Sequence, residues 1–196
     1  MKEMLIILLS AVLIENFVLT KFLGICPFLG VSKKLGSALG MSGAVLIVMT
    51  AATALTWPVY TYLLEPYNLG YLITIAFILI IALFVQIVEI LLEKFIPALH
   101  KSLGVYLPLI VTNCAVLGVT LLNIDNGYNF IQSIFNAIGG GLGFSLALLV
   151  FSFLRQRLEE SNIPKAFKGL PSTLIAASIF SLSFAGFNGI IEGMFG

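Results

Sequence analysis

The sequence predicts an all-α integral membrane protein: six transmembrane helices arranged as two inverted three-helix repeats. Three observations carry that expectation. Of the 196 residues, 60% are hydrophobic and only 10% are charged, against roughly 25% charged in an ordinary soluble domain. The mean hydropathy is +1.11. A pattern opened by cysteine occurs twice, at Cys26 and at Cys114. A surface of this composition suits lipid and not water, which excludes a soluble enzyme. The formal net charge of +1 leaves no basic footprint for nucleic acid. Two distant cysteines make no disulfide framework of the small secreted kind.

Six apolar stretches approach the roughly 20 residues that a bilayer core demands. They run about Met4–Leu23, Ala38–Leu64, Gly70–Leu92, Leu103–Leu122, Phe130–Leu154 and Ser172–Ile191. Strand periodicity is absent and the runs are too long for barrel strands, so helices are the expected spanning form. The first stretch holds Glu15 and Asn16 and has no small-residue cleavage site, so it is expected to be retained and not cleaved. The whole is read as one membrane domain over residues 1–196, with repeats at about 1–95 and 96–196.

Basic residues set the expected orientation. Lys33, Lys34, Lys94, Lys101, Arg155, Arg157, Lys165 and Lys168 fall in the loops after spans 1, 3 and 5, whereas the opposite side has Lys2. Cytoplasmic loops collect positive charge, so both termini are expected outside a multi-pass cell (inner) membrane. Trp57, Tyr60, Tyr62 and Tyr67 cluster at the outer end of span 2, as an interfacial aromatic belt does.

The repeat lies in spans 1 and 4. One copy reads Cys26-Pro27-Phe28-Leu29-Gly30-Val31, the other Cys114-Ala115-Val116-Leu117-Gly118-Val119. Three crossings per half force the halves to be inverted, which brings their special residues to the midplane about a pseudo-two-fold axis. Gly24 and Pro27 bracket Cys26, while Gly104, Pro108 and Gly118 surround Cys114. Both crossings are therefore expected to be interrupted near the cysteines. Broken backbone at membrane depth needs protein or a cofactor to satisfy it. Freed N–H groups, with Thr112 and Asn113, are placed to donate to thiolate sulfur.

A lone cysteine in an apolar helix is more often a small buried hydrophobe than a ligand. The paired, helix-breaking setting argues against that here. A disulfide and a zinc site remain as alternatives, the latter short of ligands because the single histidine is His100 in a loop. Two thiolates are half of what a [2Fe–2S] cluster takes, so that reading needs a partner for the rest.

The run from Glu15 through Cys26 to Lys34, Tyr106 to Val119 around Cys114, Gly143-Phe144-Ser145 and Phe184-Ala185-Gly186-Phe187-Asn188-Gly189 resemble the A subunits of the Rnf complex, over nearly the whole chain. That resemblance implies a component of a membrane-bound ferredoxin:NAD⁺ oxidoreductase that couples electron transfer to Na⁺ or H⁺ transport. It implies that Cys26 and Cys114 hold an intramembrane [2Fe–2S] cluster. The other two cysteines would come from a homologous six-helix subunit of opposite topology, with further subunits carrying flavin and iron–sulfur centres. The sister E subunit of the Na⁺-translocating NADH:quinone reductase tends to carry Thr after the first cysteine and Ala at the position of Gly30. Pro27 and Gly30 therefore favour the Rnf side. The flavin attachment signal of related subunits is Ser-Gly-Ala-Thr; this chain has Ser42-Gly43-Ala44-Val45, so no flavin is expected here.

Glu15, Lys21 and Glu89 fall within spans, where ionisable groups are costly and often functional. Lys21 is expected either to stabilise a negative cluster or to snorkel to the cytoplasmic boundary. Glu15 is the candidate ion-pathway carboxylate; the alternative is a buried partnership with a neighbouring subunit. Glu89 reads as interfacial. Residues 4–32 exceed what one perpendicular helix needs, so a tilt or break must absorb the excess. Gly139, Gly140, Gly141 and Gly143 lack the Lys-Ser/Thr of a phosphate loop and are expected to permit close helix packing, as are Gly186 and Gly189. Two other functions fit inverted repeats: a stand-alone secondary transporter, and a structural anchor whose cysteines are inert.

Overall fold

A computed structural model of the chain describes residues 4, 7–8, 10–14, 16–32, 35–67, 70–95, 109–110, 112–160, 164 and 167–195. All regular structure among these residues is helical. After a π-helical turn at Ser10–Ile14 come α1 (Ile25–Val31), α2 (Leu35–Val59), α3 (Ile73–Phe95), α4 (Cys114–Asp125), α5 (Phe130–Glu160) and α6 (Leu170–Phe195).

Three of these are long and apolar enough to cross a membrane: Leu35–Leu64, Gly70–Ile90 and Phe130–Leu158. Their bounds follow the apolar runs because a lipid-facing helix is defined by residue hydropathy alone. Shorter apolar helical segments are Cys114–Asp125 and Pro171–Phe184. Near the end of α2, Pro58 lacks the N–H that would continue the ladder. The helix widens there into a π turn at Tyr60–Leu64, closed by the Glu65 N–H donating to Tyr60 O at 3.0 Å.

α5 is the central post. Ala137, Phe144, Ala147, Leu148 and Phe151 are fully buried along it, and 56% of its apolar window is enclosed, against 17% for α3. Lipid supplies no hydrophobic drive between helices, so close van der Waals fit must hold them. The glycines of α5 provide it. A Cβ at Gly140 would lie 2.6 Å from Phe17 Cε2, one at Gly139 3.0 Å from Leu8 O, and one at Gly143 3.2 Å from Ala11 O. The expected close packing is thus met: Gly139, Gly140 and Gly143 face the broken first stretch, and Gly141 faces Leu46 of α2 at 3.1 Å. Gly186 differs from expectation: a Cβ there meets no described atom within 4 Å. The surroundings of Gly189 lie outside the described side chains.

The first crossing is not one helix. The π turn ends at Ile14, turns occupy 17–20, and helix resumes only at Ile25. This break absorbs the excess length. Asn16, fully buried, pins it: its Nδ2 donates to Gly143 O at 2.8 Å and to Val12 O at 3.3 Å, while its Oδ1 accepts from the Val18 N–H at 3.1 Å. Leu19 O accepts from the Ser181 hydroxyl of α6.

Three basic residues expected in loops stand in helices instead: Lys94 in the last turn of α3, and Arg155 and Arg157 in α5. Of these Arg155 is only 5% exposed. Residue counting places it outside because apolar runs end where charge begins, whereas this charge is folded back among bonding partners. Arg157, by contrast, is exposed beside Glu160 at 3.9 Å. Trp57 also turns inward: its Nε1–H donates to Tyr128 O at 3.0 Å and its ring meets Phe130 edge-on. Tyr62 and Tyr67 stay exposed as a belt requires.

Candidate metal centre

The two cysteine motifs come together at two helix starts. α1 begins after Gly24, whose φ of 83° and ψ of 24° place it in the left-handed region. A residue with a Cβ loses about 1–2 kcal/mol in that conformation, and space forbids one as well. A Cβ there would meet Phe144 Cε2 at 3.1 Å, Ala115 Cβ at 3.2 Å and Asn113 Oδ1 at 3.2 Å. Cys26 and Pro27 follow in the first turn of α1. Pro27 therefore does not break the helix. It lies where backbone N–H groups have no intrahelical acceptor, so its missing donor costs nothing. The break belongs to Gly24.

The second start is built differently. Asn113 is extended, with φ −73° and ψ 109°, and its Oδ1 accepts from the Ala115 N–H, capping α4. Cys114 is the first residue of α4. Gly118 leaves the helix intact; a Cβ at Gly118 would lie 2.5 Å from Leu23 Cδ1, so it admits a side chain from the opposite break. Gly30, its counterpart in the repeat, faces Leu109 Cδ1 at 3.7 Å. Pro108 and Gly104 lie outside the described residues.

The Gly24 N–H donates to Cys114 Sγ at 3.4 Å, linking the two breaks directly. Cys114 is half-buried and Cys26 exposed, and both are free thiols. A cavity of about 380 Å³ opens between α3 and α4, walled by Ile78, Ile81, Ala82, Thr112, Asn113, Cys114 and Leu117. In its wall, Asn113 is 3% exposed, and its Nδ2 has no hydrogen-bond partner among the described residues. The cap fixes the amide's orientation, because Oδ1 must face Ala115 N, so the N–H₂ end is the one left over. A buried, unsatisfied donor beside a thiol suits an electron-rich acceptor such as sulfur or sulfide. Thr112 is exposed at the same mouth.

Of the other candidate residues, Lys21 lies in the break with Nζ 6.0 Å from the Phe17 ring centroid, a cation–π distance. Glu15 and His100 lie outside the described residues. Glu89 Oε2 accepts from Gln86 Nε2 at 3.3 Å on the exposed face of α3. Among the described residues no three His, Cys, Asp or Glu side chains gather as a metal-binding group. The described candidates are therefore two free thiols with the Gly24 N–H and the Asn113 amide beside them.

Fold and site together define a helical membrane protein with paired cysteines at facing helix breaks. The profile of the Rnf-Nqr subunit family of membrane proteins matches residues 4–191. The A subunit of a Na⁺-translocating ferredoxin:NAD⁺ oxidoreductase complex from Acetobacterium woodii is 55% identical over 187 residues, covering 95% of this chain and 97% of that one. The A subunits of the ion-translocating oxidoreductase complexes of Syntrophotalea carbinolica and Shewanella oneidensis are 54% and 52% identical, covering 98% of this chain and 100% of each relative. The chain belongs to the Rnf-Nqr family of membrane subunits.

Proposed function

We propose that this chain is the A-type membrane subunit of an ion-translocating ferredoxin:NAD⁺ oxidoreductase. In this reading Cys26 and Cys114 are half of the ligand set of an intramembrane [2Fe–2S] cluster. A homologous subunit of opposite topology supplies the other half. The carrying observation is the 3.4 Å contact from the Gly24 N–H to Cys114 Sγ, which puts both cysteine motifs at one place. The exposure of Cys26 supports a site completed across a subunit boundary. In this reading the chain crosses six times as two inverted repeats with both termini outside, an orientation that rests on the basic residues gathered after spans 1, 3 and 5; the seating of Leu23 at Gly118 and of Leu109 near Gly30 supports the pairing of the two motifs.

The residues fit such a group as a half-site. Cys26 and Cys114 bind as thiolates, the Gly24 amide keeps Cys114 Sγ oriented, and Asn113 Nδ2 offers the donor that the protein leaves unused. Bound there, the cluster supplies one-electron transfer, at a potential set by burial and by hydrogen bonds to sulfur. Apolar walls from Ile78, Ile81 and Leu117 exclude water from that position. Lys21 belongs to the cluster's electrostatic environment and Glu15 to the candidate ion pathway. Coupling to Na⁺ or H⁺ is the complex's function, shared with subunits carrying flavin and further iron–sulfur centres.

The test is anaerobic purification of the whole complex with iron quantification and EPR of the reduced sample, comparing wild type with Cys26→Ser and Cys114→Ser. A [2Fe–2S] signal lost in both variants, with other clusters retained, is the expected result. Unchanged iron and spectrum in both would overturn the assignment in favour of a transporter or an anchor.

A further inference from the structure

α1 is a short helix with a demanding task. It has seven residues and no side-chain cap on its first N–H groups, and helices this short are marginal unless packing holds them. Its N-terminal end is fixed by the Gly24 N–H bond to Cys114 Sγ, in a space that Asn113 and Phe144 leave too tight for a Cβ. Its C-terminal end is held from α5. Arg155 Nη1 donates to Leu29 O at 2.7 Å and to the Ser32 hydroxyl at 2.7 Å, and Ser32 is the helix's C-terminal cap residue, fully buried. The last carbonyls of a helix have no intrahelical donors, and a guanidinium provides short, charge-assisted bonds to them.

We propose that Arg155 is a positioning residue for the metal site, acting on Cys26 through α1. Leu29 follows Cys26 by three residues, about 4.5 Å along the axis. A bond that fixes the Leu29 carbonyl therefore fixes the height and rotation at which the Cys26 thiol leaves the break. Phe144 and Arg155, both on α5, meet the two ends of α1 in the same chain direction, so the long helix acts as a splint alongside the short one. Without the Arg155 bonds the C-terminal end of α1 keeps the packing of Val31 but loses its polar restraint, and fraying starts at Ser32 and reaches Cys26 within two turns. This inference rests on the cluster reading for its effect on the metal, but the restraint on α1 does not.

The experiment uses the whole complex carrying Arg155→Met, Arg155→Lys or Ser32→Ala. Hydrogen exchange over residues 25–31 reads the restraint. EPR line shape and midpoint potential of the Cys26-dependent signal, at measured iron content, read the positioning. Arg155→Met is expected to lose about tenfold or more of the amide protection and to broaden the signal and shift its midpoint. Arg155→Lys is expected to restore part of both, and Ser32→Ala, which keeps the Leu29 bond, to show a smaller change of the same sign. If Arg155→Met does not assemble, Arg155→Lys is decisive, with a partial loss of protection and a smaller shift of the midpoint expected. Unchanged protection in the decisive variant overturns the proposal, as does lost protection with an unaltered line shape and midpoint. A wild-type complex with no Cys26-dependent signal sinks the cluster reading instead, while exchange still reports on the clamp.

Discussion

The amide of Gly24 points at the sulfur of Cys114 across 3.4 Å, joining positions 90 residues apart. Each partner solves the other's difficulty. The break at Gly24 frees backbone donors, and the start of α4 brings a polarisable acceptor to one of them. Loss of this geometry therefore disturbs the starts of α1 and α4 at once.

Gly24→Ala tests it. The substitution forces a Cβ into a left-handed residue and against Phe144, Ala115 and Asn113 at 3.1–3.2 Å. Strain and overpacking together are expected to cost about 2–4 kcal/mol. Thermal unfolding of the detergent-solubilised complex reads the loss. Gly30→Ala is the control, since its nearest atom lies at an ordinary 3.7 Å. Equal stability of the two variants would contradict the geometry at Gly24.

Asn113 has two separable roles. Its Oδ1 caps α4 through the Ala115 N–H, and its Nδ2 is the unused donor. Asn113→Ser keeps a capping oxygen and removes the amide donor; Asn113→Ala removes both. Stability should fall by about 1 kcal/mol in the alanine variant only. The midpoint potential should fall in both, because a donor to sulfur favours the more negative reduced form. A potential that moves only with stability would remove Asn113 from the cluster environment.

The α5 glycines provide a packing test remote from the cysteines. In Gly140→Ala the new Cβ would sit 2.6 Å from Phe17 Cε2 and 3.4 Å from Val119 Cγ2, both on buried residues. A loss of about 1–3 kcal/mol is expected. Gly43→Ala in α2 meets nothing within 4 Å and should be neutral or gain up to about 1 kcal/mol from helix propensity. Differential scanning fluorimetry of the two variants separates the cases; a destabilised Gly43→Ala would mean that α2 packs on a neighbouring protein there.

Much of this is legible in the residues. Span limits for α2, α3 and α5, the breaks near both cysteines and the packing role of the glycines at 139–141 and 143 follow from local composition. Gly, Pro and hydropathy act on the backbone where they stand. The reason for a break is less legible: Pro27 has the character of a breaker and proves to be a first-turn residue, while Gly118, also expected to weaken the helix, serves as a seat for Leu23. Arg155 reads as a loop cation for the same reason, because charge in sequence carries no sign of what will bond to it.

Residue composition places this chain in a membrane, marks where its long apolar helices run, and singles out its two cysteines by the pattern that each opens. Transfer from water to lipid is a sum over residues, so it can be read without knowing any contact. The meeting of the helix starts at Gly24 and Asn113, the Asn113 amide donor left over, and the hold of Arg155 on Leu29 and Ser32 emerge from the folded arrangement alone. Orphaned backbone groups and buried polar side chains must find partners wherever the chain brings them, and those partners lie far away in sequence.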